Sequence, residues 1–100
     1  MIAVVGATGF VGRHVVARLV ASKTPIRAVS RTLGPPNAAV SAAAADLLHP
    51  PSLAVALTGV ETIVHCAAIT ADKKEAYRGQ YHDVNATGTR NLVDLLAMPV

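Results

Sequence analysis

The chain has 100 residues, 52% of them hydrophobic and 3% aromatic, and nine Lys plus Arg against six Asp plus Glu leave a net charge of +3. This apolar content excludes a disordered tail, and no run of about 18 apolar residues is free of charge, so no membrane span is visible. The length sets an upper limit of one small domain with a thin core.

Residues 1–5 (MIAVV) are a short apolar run ending at Gly6 and read as a buried strand. Residues 6–12 (GATGFVG) form a glycine-rich turn. Residues 10–22 follow with helical spacing, Val11, Val15, Leu19 and Ser22 on one side, and Pro25 closes the connection. Residues 26–30 (IRAVS) read as a second strand, and residues 31–37 (RTLGPPN) as a Gly/Pro-rich loop. Residues 38–45 (AAVSAAAA) are ambiguous, because alanine favours helix by intrinsic propensity. They are assigned to a strand, since an alternating rhythm needs one there and Asp46-Leu47 follows. Residues 51–57 predict a short helix with Pro near its start and Gly59 as its C-terminal cap. Residues 60–67 (VETIVHCA) read as another strand and the polar residues 69–79 as a loop. Residues 83–98 predict a long amphipathic helix with Val84, Asn91, Leu92 and Leu95 at helical spacing, stopped by Pro99, so that Val100 would begin a fifth strand. Strands alternating with helices imply a parallel sheet with right-handed crossovers.

Charge is unevenly distributed. Residues 1–45 hold five bases (Arg13, Arg18, Lys23, Arg27, Arg31) and no acid, and Asp46 is the first carboxylate. A basic half suggests an anionic partner, of which the phosphates of a cofactor are the modest form and nucleic acid the grander one. The scarcity of aromatics and the absence of Trp disfavour stacking platforms for single-stranded nucleic acid. The single Cys66 excludes an internal disulfide framework, and Met1-Ile2 offers no charged leader; both point to a reducing, cytoplasmic setting. Four histidines (His14, His49, His65, His82) show no ligand spacing with Cys66, so no metal site is expected. His65 and Cys66 lie in an apolar strand and read as a packed imidazole and an inert thiol.

Gly6, Gly9 and Gly12 give G-x-x-G-x-x-G between a strand and a helix. Gly6 permits a tight turn, Gly9 lets backbone approach a pyrophosphate, and Gly12 lets the helix pack close to the sheet. The helix N-terminus then offers free N–H groups and partial positive charge to an anion. A Walker loop is excluded, because no Gly-Lys-Ser/Thr follows.

Four stretches, in order and spanning nearly the whole chain, resemble the N-terminal part of an extended short-chain dehydrogenase/reductase of the NAD-dependent epimerase/dehydratase group. VVGATGFVG is similar to that family's T-G-x-x-G-x-x-G cofactor loop, ADLLHPPSL to its D-L stretch, VHCAA to its H-x-A-A stretch and VNATGTRNLVDLL to its V-N-x-x-G-T-x-N-L-L helix. The resemblance implies a Rossmann-type, doubly wound parallel α/β sheet, incomplete at about four strands in the order 3-2-1-4, as a partial cofactor-binding domain over residues 1–100 without its substrate domain. It implies cofactor contacts from Gly6, Thr8, Gly9, Phe10, Val11 and Gly12 in the loop. It places Asp46 and Leu47 beside the adenine, Ala67 and Ala68 along the cofactor ribose, and Asn85 near the active site. For Asp46 the alternative is a turn cap, for the two alanines tight packing, and for Asn85 a helix N-terminal hydrogen bond. Gly88 and Thr89 read as packing positions.

An NAD-selective fold usually carries Asp or Glu about 20 residues past the loop, on the ribose 2′-hydroxyl. Here the second strand ends Val29-Ser30-Arg31 with no acid before Asp46. Ser30 can donate and accept hydrogen bonds, and Arg31 can pair with a 2′-phosphate through its planar fork, with Arg13 a second candidate. The expectation is NADP, with NAD the alternative; the bland reading of Arg31 is a solvated loop cation.

The family's catalytic Ser or Thr and its Tyr-x-x-x-Lys pair follow the fifth strand. Neither Tyr77 nor Tyr81 has Lys four residues later, so no catalytic residue is assigned. The chain is therefore expected to be a fragment or truncated product of an enzyme that acts on a carbonyl or sugar-nucleotide-like substrate, steroids and flavonoid-like compounds included. A nucleotide-sensing module without catalysis is the alternative. No membrane or nucleic-acid partner is expected, and a homodimer is left open. The fourth strand should be an exposed apolar edge.

Overall fold

The computed structural model describes residues 1–33, 40–67 and 74–96. Among these, four strands, β1 (Ile2–Val5), β2 (Ile26–Ser30), β3 (Ser41–Ala44) and β4 (Thr62–His65), form one parallel sheet in the order β3-β2-β1-β4. This is the order implied by the resemblance, and it makes the architecture Rossmann-like. Val5 lies level with Val29 on one side and His65 on the other, so the carboxyl ends of the strands finish together. None of the described helices is long and apolar enough to cross a membrane.

β1 is central and apolar on both faces, as strands covered from both sides must be. Ala3 and Val5 join Val29 and the helix residues Leu53, Ala56, Leu57 and Leu92 in one core. By the alternation of a strand, Val4 and Ile26 face the opposite side, where α1 (Phe10–Ala21) covers β1 and β2, and both are almost completely buried. α2 (Pro50–Ala56) and α4 (Gly88–Leu96) pack together on the first face.

The alanine-rich stretch is a strand. Pairing of Ser41, Ala42, Ala43 and Ala44 with Arg27, Ala28, Val29 and Ser30 gives its backbone groups partners in the sheet, and this outweighs the helix preference of alanine. α1 begins where expected, but its inward face is rotated. Gly12 is the buried residue, Val15, Val16, Leu19 and Val20 are half-buried, and Val11 is 59% exposed. α1 ends with Thr24 N–H donating to the Leu19 carbonyl and Lys23 N–H to that of Val20, a Schellman closure. Lys23 there takes a φ of 58°, a left-handed position where glycine is usual.

Arg27, one of the five bases of the first half, is engaged within the fold. Its Nη1 donates to the carbonyls of Ala56 and Thr58 at 2.8 and 2.7 Å, closing the C-terminus of α2, where a cation is favoured by the helix dipole. The expected C-terminal helix is helical through the described residues to Leu96, but it starts three residues earlier and holds a π turn. A single turn, α3 (Gln80–His82), leads into a π-helical turn (Asp83–Thr87), and the regular α4 starts only at Gly88. Leu92 and Leu95 of α4 join the core as expected, and Val84 joins it from the π turn. Met98, Pro99 and Val100, and with them the expected fifth strand, lie outside the described residues.

Candidate functional site

The turn after β1 is closed by its own backbone. Gly6 and Ala7 N–H both donate to the Val29 carbonyl, at 2.8 and 3.3 Å, which fixes the turn to β2. Gly6 has φ +84°, and a Cβ there would stand 2.5 Å from the Ala67 nitrogen. A Cβ on Gly12 would strike the Gly6 carbonyl, so glycine at 12 is what lets α1 approach the end of β1. Gly9 differs. A Cβ there would meet just the Gly6 oxygen, at 3.4 Å, so the packing of the chain gives little reason for glycine at that position. Gly9 is the exposed N-cap of α1, no side chain caps this helix end, and no acid stands in its first turn. A backbone kept bare beside an uncapped helix N-terminus fits the pyrophosphate of a dinucleotide.

A cleft of about 440 Å³ opens at the carboxyl ends of the strands. Gly6 borders it after β1, Ser30 and Arg31 at the end of β2, Asp46 after β3, and Cys66 and Ala67 after β4. The order reverses between β1 and β4, and the crevice at such a switch point is where open α/β sheets bind ligands.

Of the residues singled out from the sequence, Gly6, Thr8, Gly9, Ser30, Arg31, Asp46, Leu47 and Ala67 line this cleft. Phe10, Val11, Gly12 and Asn85 do not, and Ala68 lies outside the described residues. Phe10 is 72% exposed, with the Arg13 guanidinium 5.2 Å over its ring and His14 edge-on at 5.2 Å. The Ser30 hydroxyl donates to the Thr32 carbonyl at 2.6 Å, so toward a ligand it is an acceptor rather than a donor. Asp46 does cap a turn: its Oδ1 accepts the Leu48 N–H at 2.9 Å. Leu47 is 8% exposed and packs on Gly88, while its carbonyl accepts Asn91 Nδ2 at 2.7 Å, so this side chain belongs mainly to the core. Arg31 is exposed at the cleft and has no ion-pair partner among the described residues.

The opposite wall was not read from the sequence. Tyr77, Gln80 and Val84 complete the lining. Val84 could have been found, as the neighbour of Asn85 in the V-N motif; Tyr77 and Gln80 are held by side-chain bonds to Asp83 and Ala76 that hydrophobic spacing does not report. The Tyr77 hydroxyl donates to Asp83 Oδ2 at 3.0 Å. That hydrogen bond, desolvation and the charges of Asp83, Asp46 and Glu75 raise its pKa above the ordinary tyrosine value.

His65 is exposed at the end of β4, contrary to the packed imidazole expected. Its Nε2 lies 2.9 Å from Thr89 Oγ1. The Thr89 hydroxyl, with one hydrogen, donates to the Asn85 carbonyl at 2.7 Å, so His65 must donate through Nε2–H. Partial burial lowers the pKa of His65 and raises that of the Cys66 thiol.

The strand order, the glycine turn and the cleft at the switch point together define a Rossmann-type α/β fold. Residues 2–98 match the NAD dependent epimerase/dehydratase family, and the chain belongs to that family. It is 34% identical over 97 residues to a 3-beta-hydroxysteroid dehydrogenase of Mycolicibacterium neoaurum, covering 90% of this chain and 26% of that protein. It is 32% identical over 93 residues to the Homo sapiens sterol-4-alpha-carboxylate 3-dehydrogenase (decarboxylating), covering 91% and 24%. A short-chain dehydrogenase/reductase superfamily protein from Agrobacterium tumefaciens, solved with bound NAD, superposes with a TM-score of 0.77 at 33% identity, covering 95% of this chain and 28% of the other. The chain thus spans about a quarter of the length of the curated relatives it matches.

Proposed function

We propose that this chain is the nicotinamide-dinucleotide-binding part of an NADP-preferring oxidoreductase or epimerase that acts on a carbonyl or secondary alcohol. The pyrophosphate would lie at Gly9 against the N-terminus of α1, with the adenosine ribose toward Arg31. One observation carries the preference: Arg31 stands at the cleft beside the end of β2 and is in no ion pair among the described residues. A planar guanidinium matches a 2′-phosphate, and the acid that would instead bind a 2′-hydroxyl has no source before Asp46. Ser30 supports this as an acceptor for a ribose hydroxyl. The bound nicotinamide supplies or accepts the hydride, while the protein binds and orients it. Two relatives named for action on steroids or sterols support a sterol-like alcohol or ketone as the substrate class.

The test is a pair of titrations that follow nicotinamide fluorescence. NADPH should bind at least about tenfold more tightly than NADH, and Arg31→Ala should weaken NADPH about tenfold while leaving NADH within about twofold, as expected for one charge-assisted bond. Tighter binding of NADH than of NADPH would overturn the preference.

A further inference from the structure

We propose that Tyr77, held in place by Asp83, stacks on the purine ring of the bound dinucleotide and sets how strongly the site holds the adenosine half; this rests on the dinucleotide reading above. The chain has three aromatic residues, Phe10, Tyr77 and Tyr81, and of these Tyr77 alone lines the cleft. The residue is 46% exposed, yet its hydroxyl is tied to Asp83 Oδ2 at 3.0 Å. A ring already oriented loses less freedom when a ligand lands on it. Val84, the next residue along the π turn, borders the same cleft and extends the apolar surface beside the ring.

The charge layout decides which part of the ligand belongs there. Asp83 accepts the Tyr77 hydroxyl, Asp46 lines the same cleft and Glu75 stands two residues before Tyr77, so carboxylates gather at this end. Phosphate is repelled from it and drawn to Arg31 and the uncapped helix. A neutral base bearing an exocyclic amine suits the acidic end. The fold places the adenosine on the β2 side of the glycine turn, and Tyr77 faces that end from the opposite wall of the cleft that Arg31 and Asp46 also line. Its one hydroxyl hydrogen goes to Asp83, so Tyr77 offers the ligand its ring face and no donor.

The experiment uses ADP-ribose and nicotinamide mononucleotide as probes of the two halves. In wild type, ADP-ribose should shift the ring-proton NMR signals of one of the two tyrosines, which Tyr77→Phe identifies. Tyr77→Ala should weaken ADP-ribose and NADPH alike by about tenfold, the loss of one base–aromatic stack, and leave nicotinamide mononucleotide unchanged. Tyr77→Phe keeps the ring and should lose less than about threefold. If Tyr77→Ala, folded by circular dichroism, binds ADP-ribose as wild type does while NADPH still saturates, this inference is overturned and the dinucleotide reading stands. If wild type shows no saturable NADPH binding, the dinucleotide reading fails and this inference with it.

Discussion

The turn of residues 6–12 and the wall of residues 74–96 border the same cleft, yet they are built in opposite ways. The turn is closed by backbone, with Gly6, Ala7 and Gly9 N–H groups bonded to carbonyls and with side chains absent where α1 meets β1. The wall is closed by side chains. Glu75 accepts the Tyr81 N–H at 3.0 Å and Gln80 accepts the Ala76 N–H at 2.6 Å, a reciprocal pair that starts α3. Asn91 and Thr89 then fasten α4 to the ends of β3 and β4 through Leu47 and His65. A geometry set by missing side chains tolerates no additions, whereas one set by individual side-chain bonds should weaken by one bond at a time.

The largest effect should therefore come from the turn. Gly12→Val places a Cβ on the Gly6 carbonyl, and neither backbone segment can move without separating α1 from β1. A domain of this size has roughly 5–10 kcal/mol of stability in all, so this variant should show no cooperative thermal transition by far-UV circular dichroism. A normal melt would mean that the turn is less rigid than the wall, reversing the comparison.

In the wall, Asn91→Ala removes a part-buried donor and leaves the Leu47 carbonyl without it. The expected cost is about 1–2 kcal/mol, measured by urea unfolding, with the transition still cooperative. A loss as complete as that of Gly12→Val would show the wall to be as intolerant as the turn.

The smallest effect concerns His65. Its folded pKa lies below the ordinary 6.5, so between the two values the unfolded chain binds more protons. The stability this contributes is complete above about pH 6.5 and is lost as pH falls from there through the folded value. Solvent screens the partly exposed ring and reduces the effect. Protonated His65 still carries Nε2–H, so the bond to Thr89 survives acid and desolvation is what changes. His65→Gln, which keeps a donor, should narrow the fall in Tm between pH 7.5 and 5.5 by about 1–2 °C. An unchanged fall would remove His65 as a source of acid sensitivity.

The same contrast separates what could be read from the sequence from what could not. The strand alternation, the three glycines and the acid-free first half are local patterns, and they led to a parallel sheet and to the near side of the cleft, while the sheet order came from the family resemblance. Arg27 shows the limit. In sequence it is one of five similar bases, while in the fold it closes α2, twenty-nine residues away, through Ala56. Leu47 matched a cofactor motif and does line the cleft, but it is also a core residue beside Gly88, which the motif did not report. The π turn at residues 83–87 was hidden because the spacing of Val84, Leu92 and Leu95 reports one helix and not which carbonyl each N–H finds.

The sequence by itself determined the order and type of the strands, the positions that must lack a Cβ, and the positive end of the site, because each follows from near neighbours along the chain. The tertiary structure decided which bases remain free, that Leu47 is also core, and that Tyr77 borders the same cleft as Gly6, Arg31 and Asp46. Those depend on residues brought together from separate elements, which no local periodicity encodes.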